Sequence, residues 1–347
     1  MTTIAPNDSN ILYSPYTWKV DATRARTLNS GAYLRATIQG SPADLSLLLD
    51  FTGLSSNKGV IWHKTDDGPW VRYWTGNGAI IPLTINPNWP VHTVEMRVAV
   101  RGGDAEIWTD PPNGVIQFAG FSSSSTISTR KVWPRPLSAL AVGDSLAMGI
   151  LTVNGTTGND ASFGWAYPLA DALGCEVGVR GHGGVGLTVA GDGGVPKFGS
   201  SWNMLWGSTP ADMTQAPDVI ITMPGTNDGG ATDALVTAET TAWLNAMLAA
   251  TPATTGIVVV RNLKGSKAAA IQAGIAACTT PGRVKWVDTT GWWASADSKD
   301  GTHPWGYVNQ HEVSPRIAAG VRSFVQSLAA SQASNQFVYK GAAWVAV

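Results

Sequence analysis

The chain has 347 residues, with 23 Lys+Arg against 24 Asp+Glu and a formal net charge of −1. Near-neutrality removes the electrostatic case for binding nucleic acid or an anionic membrane surface. No apolar run reaches the ~18 residues of a membrane span. Charged residues make up only 14%, while there are 39 Gly and 16 Trp, a composition suited to meeting neutral ligands such as sugars.

The start, "MTTIAPNDSNILYSPYTW", has no basic segment followed by an apolar one, so no signal peptide is visible. The expected protein is soluble, with a working place outside the cell or on a virion among the options. Residues 30–120 read mostly in period two. In "VHTVEMRVAV", Val94, Met96, Val98 and Val100 fall on one face and Thr93, Glu95 and Arg97 on the other. "DLSLLLDF" aligns Leu45, Leu47, Leu49 and Phe51, and "GVIWHK", "WVRYWTG" and "AEIWTD" are further short strands. Gly/Pro-rich turns separate them, which predicts an antiparallel, jelly-roll-like β-sandwich. "WVRYW" puts Trp70, Arg72 and Trp74 on one face, either a glycan surface or the wall against the next domain. The Ser/Pro-rich stretch 121–136 reads as a linker or boundary strand, with the boundary near 133.

Beyond it the period changes. Strands are predicted at 137–142, 175–181, 218–225, 256–262 and 284–288. Helices are predicted at about 163–173, 232–250 and 266–278, and a last one from Ser314 as N-cap, with Pro315 in its first turn, to about 330. Alternating strand and helix specifies a parallel sheet covered on both faces. The expected organisation is an accessory sandwich over 1–133, with carbohydrate binding as one role open to it, an α/β domain over 134–332 and an extended tail over 333–347. The two cysteines, Cys175 and Cys278, lie far apart and are expected as free, buried thiols.

Reactive groups in such sheets gather at the carboxyl ends of strands. There the sequence places Ser145 in "LAVGDSLAMG", Gly184 in "RGHGGVG", Asn227 in "PGTND", and Asp300 with His303 in "KDGTHP". A serine hydroxyl needs a base to become a nucleophile; His303 can serve as that base, and Asp300 can fix its tautomer. The Ser145 and Gly184 N–H groups and the Asn227 amide are donors for an oxyanion, with a helix N-terminus expected behind Ser145. Asp144 and Asp228 read as carboxylates that shape their loops. His182 reads as either a substrate contact or a structural ring. Trp292 and Trp293 read as either sugar-stacking platforms or core. No Cys/His/Asp/Glu cluster has metal-ligand spacing, and neither metal nor cofactor is expected.

These four blocks, in this order, resemble those of the SGNH (GDSL) hydrolases over residues 137–330. The resemblance implies a flavodoxin-like three-layer α/β/α fold and ester hydrolysis through an acyl-enzyme. It assigns Ser145 as nucleophile, Asp300 and His303 as acid and base, and Gly184 and Asn227 as oxyanion donors, with Gly183 the alternative glycine. The sandwich-then-hydrolase order is similar to that of the family-two carbohydrate esterases, some of which lack the acidic residue. The implied reaction is removal of short acyl groups, O-acetyl first, from a carbohydrate or other small ester. A carbohydrate-binding attachment protein with a vestigial hydrolase half, and a lipase or thioesterase, are the alternatives. The ending, with Tyr339, Gly341, Trp344 and Val345, resembles short tails of some phage tail proteins.

Overall fold

The computed structural model describes residues 1–54, 59–103, 107–110, 112–154, 158–335, 337–339 and 344–346. The N-terminal part forms two antiparallel sheets. One orders Lys19–Val20, Ala25–Thr27, Ile116–Ser123, Ser46–Leu49 and Ile80–Pro82, with Thr2–Ile4 added beside Ile116–Ser123. The other orders Ser128–Arg130, Tyr33–Gln39, Val91–Val100, Val60–Thr65 and Val71–Trp74, with Leu12–Tyr13 beside Tyr33–Gln39. Their inner faces share one apolar core, including Leu34, Ile61, Val94 and Met96 from one sheet and Leu47, Phe118 and Phe121 from the other.

The alternation in Val91–Val100 holds through Val98. A register shift between Val98 and Val100 then leaves Ala99 buried and Val100 half-buried. The "AEIWTD" strand is not formed: Ile107–Asp110 is a turn, and Ala105 and Glu106 lie outside the described residues. Of the two readings of the Ser-rich stretch after 120, linker or boundary strand, the strand is formed. Ile116–Ser123 and Ser128–Arg130 belong to opposite sheets, so this segment crosses the sandwich.

From Leu137 the chain builds a five-stranded parallel sheet. In chain order its strands are Leu137–Gly143, Cys175–Gly181, Val219–Thr222, Gly256–Val260 and Val284–Val287, and their spatial order is 2-1-3-4-5. That is the flavodoxin order, with the crevice at the reversal beside the first strand. Period two feeds both faces. Leu140, Val142, Ile220 and Val259 meet the Asp233–Ala250 helix through Val236, Trp243 and Met247. Ala139, Ala141, Ile221 and Val258 meet Leu169, Ile317, Val321 and Phe324. Thr232 caps the Asp233–Ala250 helix by accepting from Leu235 N at 3.3 Å.

Two helices differ from expectation. The one predicted over 163–173 shortens to Leu169–Leu173, behind a 3-10 turn at Ala161–Phe163. Ser314 is not a cap: helix runs from Gly306–Val308 through a π-helical turn at Asn309–Val313 into Ser314–Asn335. Pro315 lacks the N–H that an α-helical bond back to residue 311 would use, and the wide turn just before it absorbs the mismatch. The freed Ser314 Oγ donates to Trp165 O at 2.8 Å. At the end, Phe337–Tyr339 pairs antiparallel with Trp344–Ala346.

The second parallel strand is a sheet edge, yet all seven of its residues are buried. The N-terminal part covers it. Tyr33 OH accepts from Val177 N at 3.2 Å, Tyr33 and Arg35 both bond Glu176, and Arg180 donates to Tyr16 O. Trp70 lies on the same wall, with the Arg97 guanidinium 3.5 Å over its ring and 4.8 Å from Tyr167. Trp74 stays exposed. Both cysteines are free and buried. No helix among the described residues is long and apolar enough to cross a membrane.

Candidate active site

Four strand ends deliver the chemistry. Ser145 follows the first strand through Asp144, whose Oδ1 accepts from Leu146 N at 2.9 Å and folds the corner back on itself. No helix follows Ser145. Residues 144–150 form successive turns, with Ala147 N bonded to Asp144 O and Ile150 N to Ser145 O. They end at Gly149 (φ +71°), where a Cβ would lie 2.1 Å from Asp160 O. The expected helix-terminus contribution at Ser145 is therefore absent, and discrete N–H groups remain.

Asp300 and His303 arrive together in the loop after the fifth strand. Asp300 Oδ1 accepts from Thr302 N at 2.9 Å and His303 N at 2.8 Å, which closes a tight loop around the carboxylate. Asp300 Oδ2 lies 2.8 Å from His303 Nδ1, and His303 Nε2 lies 2.8 Å from Ser145 Oγ. Partial burial alone raises the Asp300 pKa, but the bonds from the His303 backbone and ring and from Thr302 outweigh it and hold the carboxyl below its usual value. The carboxylate is 38% exposed and the imidazole 14%.

Gly184 takes φ +70°, a backbone conformation that favours glycine. Among the described residues, neither the Ser145 nor the Gly184 N–H donates to a protein group. Asn227 Nδ2 donates to Val185 O at 2.9 Å, and its contact with Asp144 Oδ2 is a long 3.5 Å. Asp228 is fully buried and accepts from Leu187 N, Thr188 N and Thr188 Oγ1 at 3.1, 2.8 and 2.7 Å, which fixes the loop after the glycines. Asp144 is buried too, and burial pushes its pKa up to about 6.

His182 is buried in this structure. Its ring is 4% exposed, accepts at Nδ1 from Arg101 Nη1 at 3.2 Å, and sits edge-on to Trp108. Burial, then the charges of Arg101 and Arg180, holds it neutral. Trp292 and Trp293 are half-buried against the apolar layer beneath the last helix, and the Arg316 guanidinium lies 5.6 Å over Trp292. Both pack against this layer while staying partly exposed. Among the described residues no group of three His, Cys, Asp or Glu could hold a metal ion.

Sequence reasoning missed the contacts that the sandwich makes behind the site. Trp62 Nε1 donates to Asp160 Oδ2 at 2.7 Å, and Arg101 reaches His182. An arginine straight after a period-two strand was the available signal for the second.

No family model and no curated protein matches the chain. In structure it is similar to a family two carbohydrate esterase from Clostridium thermocellum in complex with cellohexaose (TM-score 0.74, 15% identity, 91% of this chain and 99% of that one). It is also similar to one from Cellvibrio japonicus (TM-score 0.73, 22% identity, 94% and 98%). A third is an acetyl xylan esterase from the rumen bacterium Butyrivibrio proteoclasticus (TM-score 0.73, 14% identity, 94% and 100%). With this strand order and these coverages, the chain has the fold of the family two carbohydrate esterases: an antiparallel β-sandwich followed by an SGNH-type α/β/α unit.

Proposed function

We propose that the chain is a serine esterase that removes short acyl groups, acetyl foremost, from a carbohydrate. The observation that carries it is the His303 ring, bonded at 2.8 Å to Ser145 Oγ on one side and at 2.8 Å to Asp300 on the other. Ser145 Oγ attacks the ester carbonyl while its proton passes to His303 Nε2. The oxyanion is met by the Ser145 and Gly184 N–H groups and by the Asn227 amide hydrogen that Val185 does not take. The tetrahedral intermediate expels the sugar alkoxide, which takes the proton from His303. Water then gives its proton to His303 and attacks the acyl-serine; the second tetrahedral intermediate collapses to the carboxylic acid and expels Ser145 Oγ, which takes the proton back from His303.

The sugar preference rests on fold likeness to esterases solved with, or named for, polysaccharide substrates. In this reading residues 1–133 are the accessory domain and 134–332 the hydrolase domain.

Purified Ser145→Ala protein, assayed on p-nitrophenyl acetate and for acetate release from acetylated polysaccharides, tests it. Loss of at least about 1000-fold is expected when the nucleophile is removed. Turnover equal to that of the unmodified chain refutes Ser145 as nucleophile. A series of aryl esters from acetate to octanoate separates the esterase reading from a lipase reading, and falling turnover with length is expected.

A further inference from the structure

We propose that Arg101, carried by the sandwich, is a positioning residue that holds the oxyanion turn in register through His182. The proposal rests on the reading of Gly184 as an oxyanion donor.

Arg101 directly follows the Val91–Val100 strand and is 2% exposed. Its own N–H donates to Ser30 Oγ at 3.2 Å, which anchors it within the sandwich. Its Nη1 then crosses to His182 Nδ1 at 3.2 Å and Gly181 O at 3.4 Å. An arginine can only donate, so Nδ1 is the acceptor and Nε2 carries the ring proton. His182 N donates to Gly143 O at 3.2 Å, tying the end of the second strand to the end of the first, two residues before Ser145. His182 is thus joined to the nucleophile strand through its backbone and to the sandwich through its ring. Gly183 and Gly184 follow at once.

The far side of the turn is held from the sandwich as well. Trp108 N donates to Gly193 O at 3.2 Å, and Asp192 N donates to Gly183 O at 2.8 Å. A Cβ on Gly183 would lie 2.5 Å from Asp192 Oδ2, so the turn is seated directly against this carboxylate. Between these two holds the Gly184 N–H has no acceptor among the described residues.

The Arg101–His182 bond supplies a fixed direction, which an apolar contact does not. Oxyanion donors act through preorganisation, and positions must hold to within about 0.5 Å. Sandwich and hydrolase are on this account one catalytic unit.

The test uses the full-length chain with Arg101→Met and Arg101→Lys. Tyr16→Phe serves as control, since it removes another bond between the two parts, Tyr16 OH to Ser138 Oγ at 3.1 Å, at the opposite end of the first strand. The readouts are kcat and KM on a short aryl ester, and the affinity of an alkyl boronic acid that forms a tetrahedral anion on Ser145. Removing a donor outright costs about 100- to 1000-fold, so misplacing one is expected to cost about 10- to 100-fold in kcat. KM should stay within about threefold, because the loss falls on the transition state. Boronate affinity should fall with kcat, Arg101→Lys should recover part of both, and Tyr16→Phe should change neither.

Unchanged kcat and boronate affinity in Arg101→Met overturns the proposal, as does an equal loss in Tyr16→Phe. If Arg101→Met does not fold, His182→Ala takes its place: the same selective loss of kcat is expected, and full activity overturns the proposal. The 15N spectrum of the unmodified protein must also show His182 protonated at Nε2; protonation at Nδ1 overturns it. Full activity in Ser145→Ala would instead refute the esterase reading.

Discussion

Replacing Asp300 by Asn and by Ala should give different losses, and their order tests the geometry. In the native loop Asp300 Oδ2 accepts from His303 Nδ1, which leaves Nε2 bare to take the serine proton. The new amide in Asp300→Asn can keep its oxygen on the Thr302 and His303 N–H groups, now 2.9 and 2.8 Å from Asp300 Oδ1. Its NH2 then faces Nδ1, forces that nitrogen to accept, and moves the ring proton to Nε2, where it points at Ser145. In serine hydrolases with a buried carboxylate the same exchange costs about 10⁴-fold, or about 5.5 kcal/mol of barrier. Asp300 is 38% exposed, so water moderates the penalty. We expect about 10²- to 10⁴-fold for Asp300→Asn. Asp300→Ala leaves room for a water to accept from Nδ1, and about 10- to 100-fold is expected. The assay is kcat/KM on p-nitrophenyl acetate at pH 8. Because hydrogen bonds hold Asp300 below the usual carboxylate range, it is ionised at the assay pH. Asp300→Asn with more than half the native activity, or less damaging than Asp300→Ala, would refute the tautomer argument.

The buried Asp144 has a folded pKa of about 6 against an ordinary 3.8, so the folded state binds the proton more tightly than the unfolded chain. The cost of ionising it is absent below the unfolded value, grows as pH rises through this window, and is complete above it, reaching about 3 kcal/mol at most. Asp144→Asn keeps an oxygen for Leu146 N–H and should raise the melting temperature at pH 8 but not at pH 3.5; no gain at pH 8 counts against it. Gly178 faces Pro15, where a Cβ would lie 2.0 Å from the carbonyl oxygen. Gly178→Ala should destabilise the chain by about 1–3 kcal/mol or more, read as a drop in the denaturation midpoint, and a native midpoint would refute the close approach.

The sequence was most legible where local chemistry decides. Gly143-Asp144-Ser145 and Asp300-Gly301-Thr302-His303 lie at strand ends, and their hydrogen bonds close within a few residues. The strands predicted at 137–142 and 256–262 correspond to the Leu137–Gly143 and Gly256–Val260 strands. Legibility fell where a local signal competed with a distant one. Ser314-Pro315 reads as a helix start, yet Ser314 Oγ bonds Trp165 O, 149 residues away, and the π-helical turn carries the helix through. The serines after 120 read as a linker or a boundary strand, and their backbone pairs with Thr2–Ile4, Ser46–Leu49 and Tyr33–Gln39.

By itself, then, the sequence determined the alternation of strand and helix, the strand ends that carry the serine, asparagine and Asp/His pair, and the period of the sandwich. Those are set by side-chain patterning and short-range bonds. Only the tertiary structure decided that the sandwich covers the edge of the parallel sheet, that Trp62 and Arg101 reach behind the site, and that His182 is buried. Each depends on groups 80 or more residues apart. Their energy comes from desolvation and from pairing of buried polar groups, and neither exists until the two parts of the chain meet.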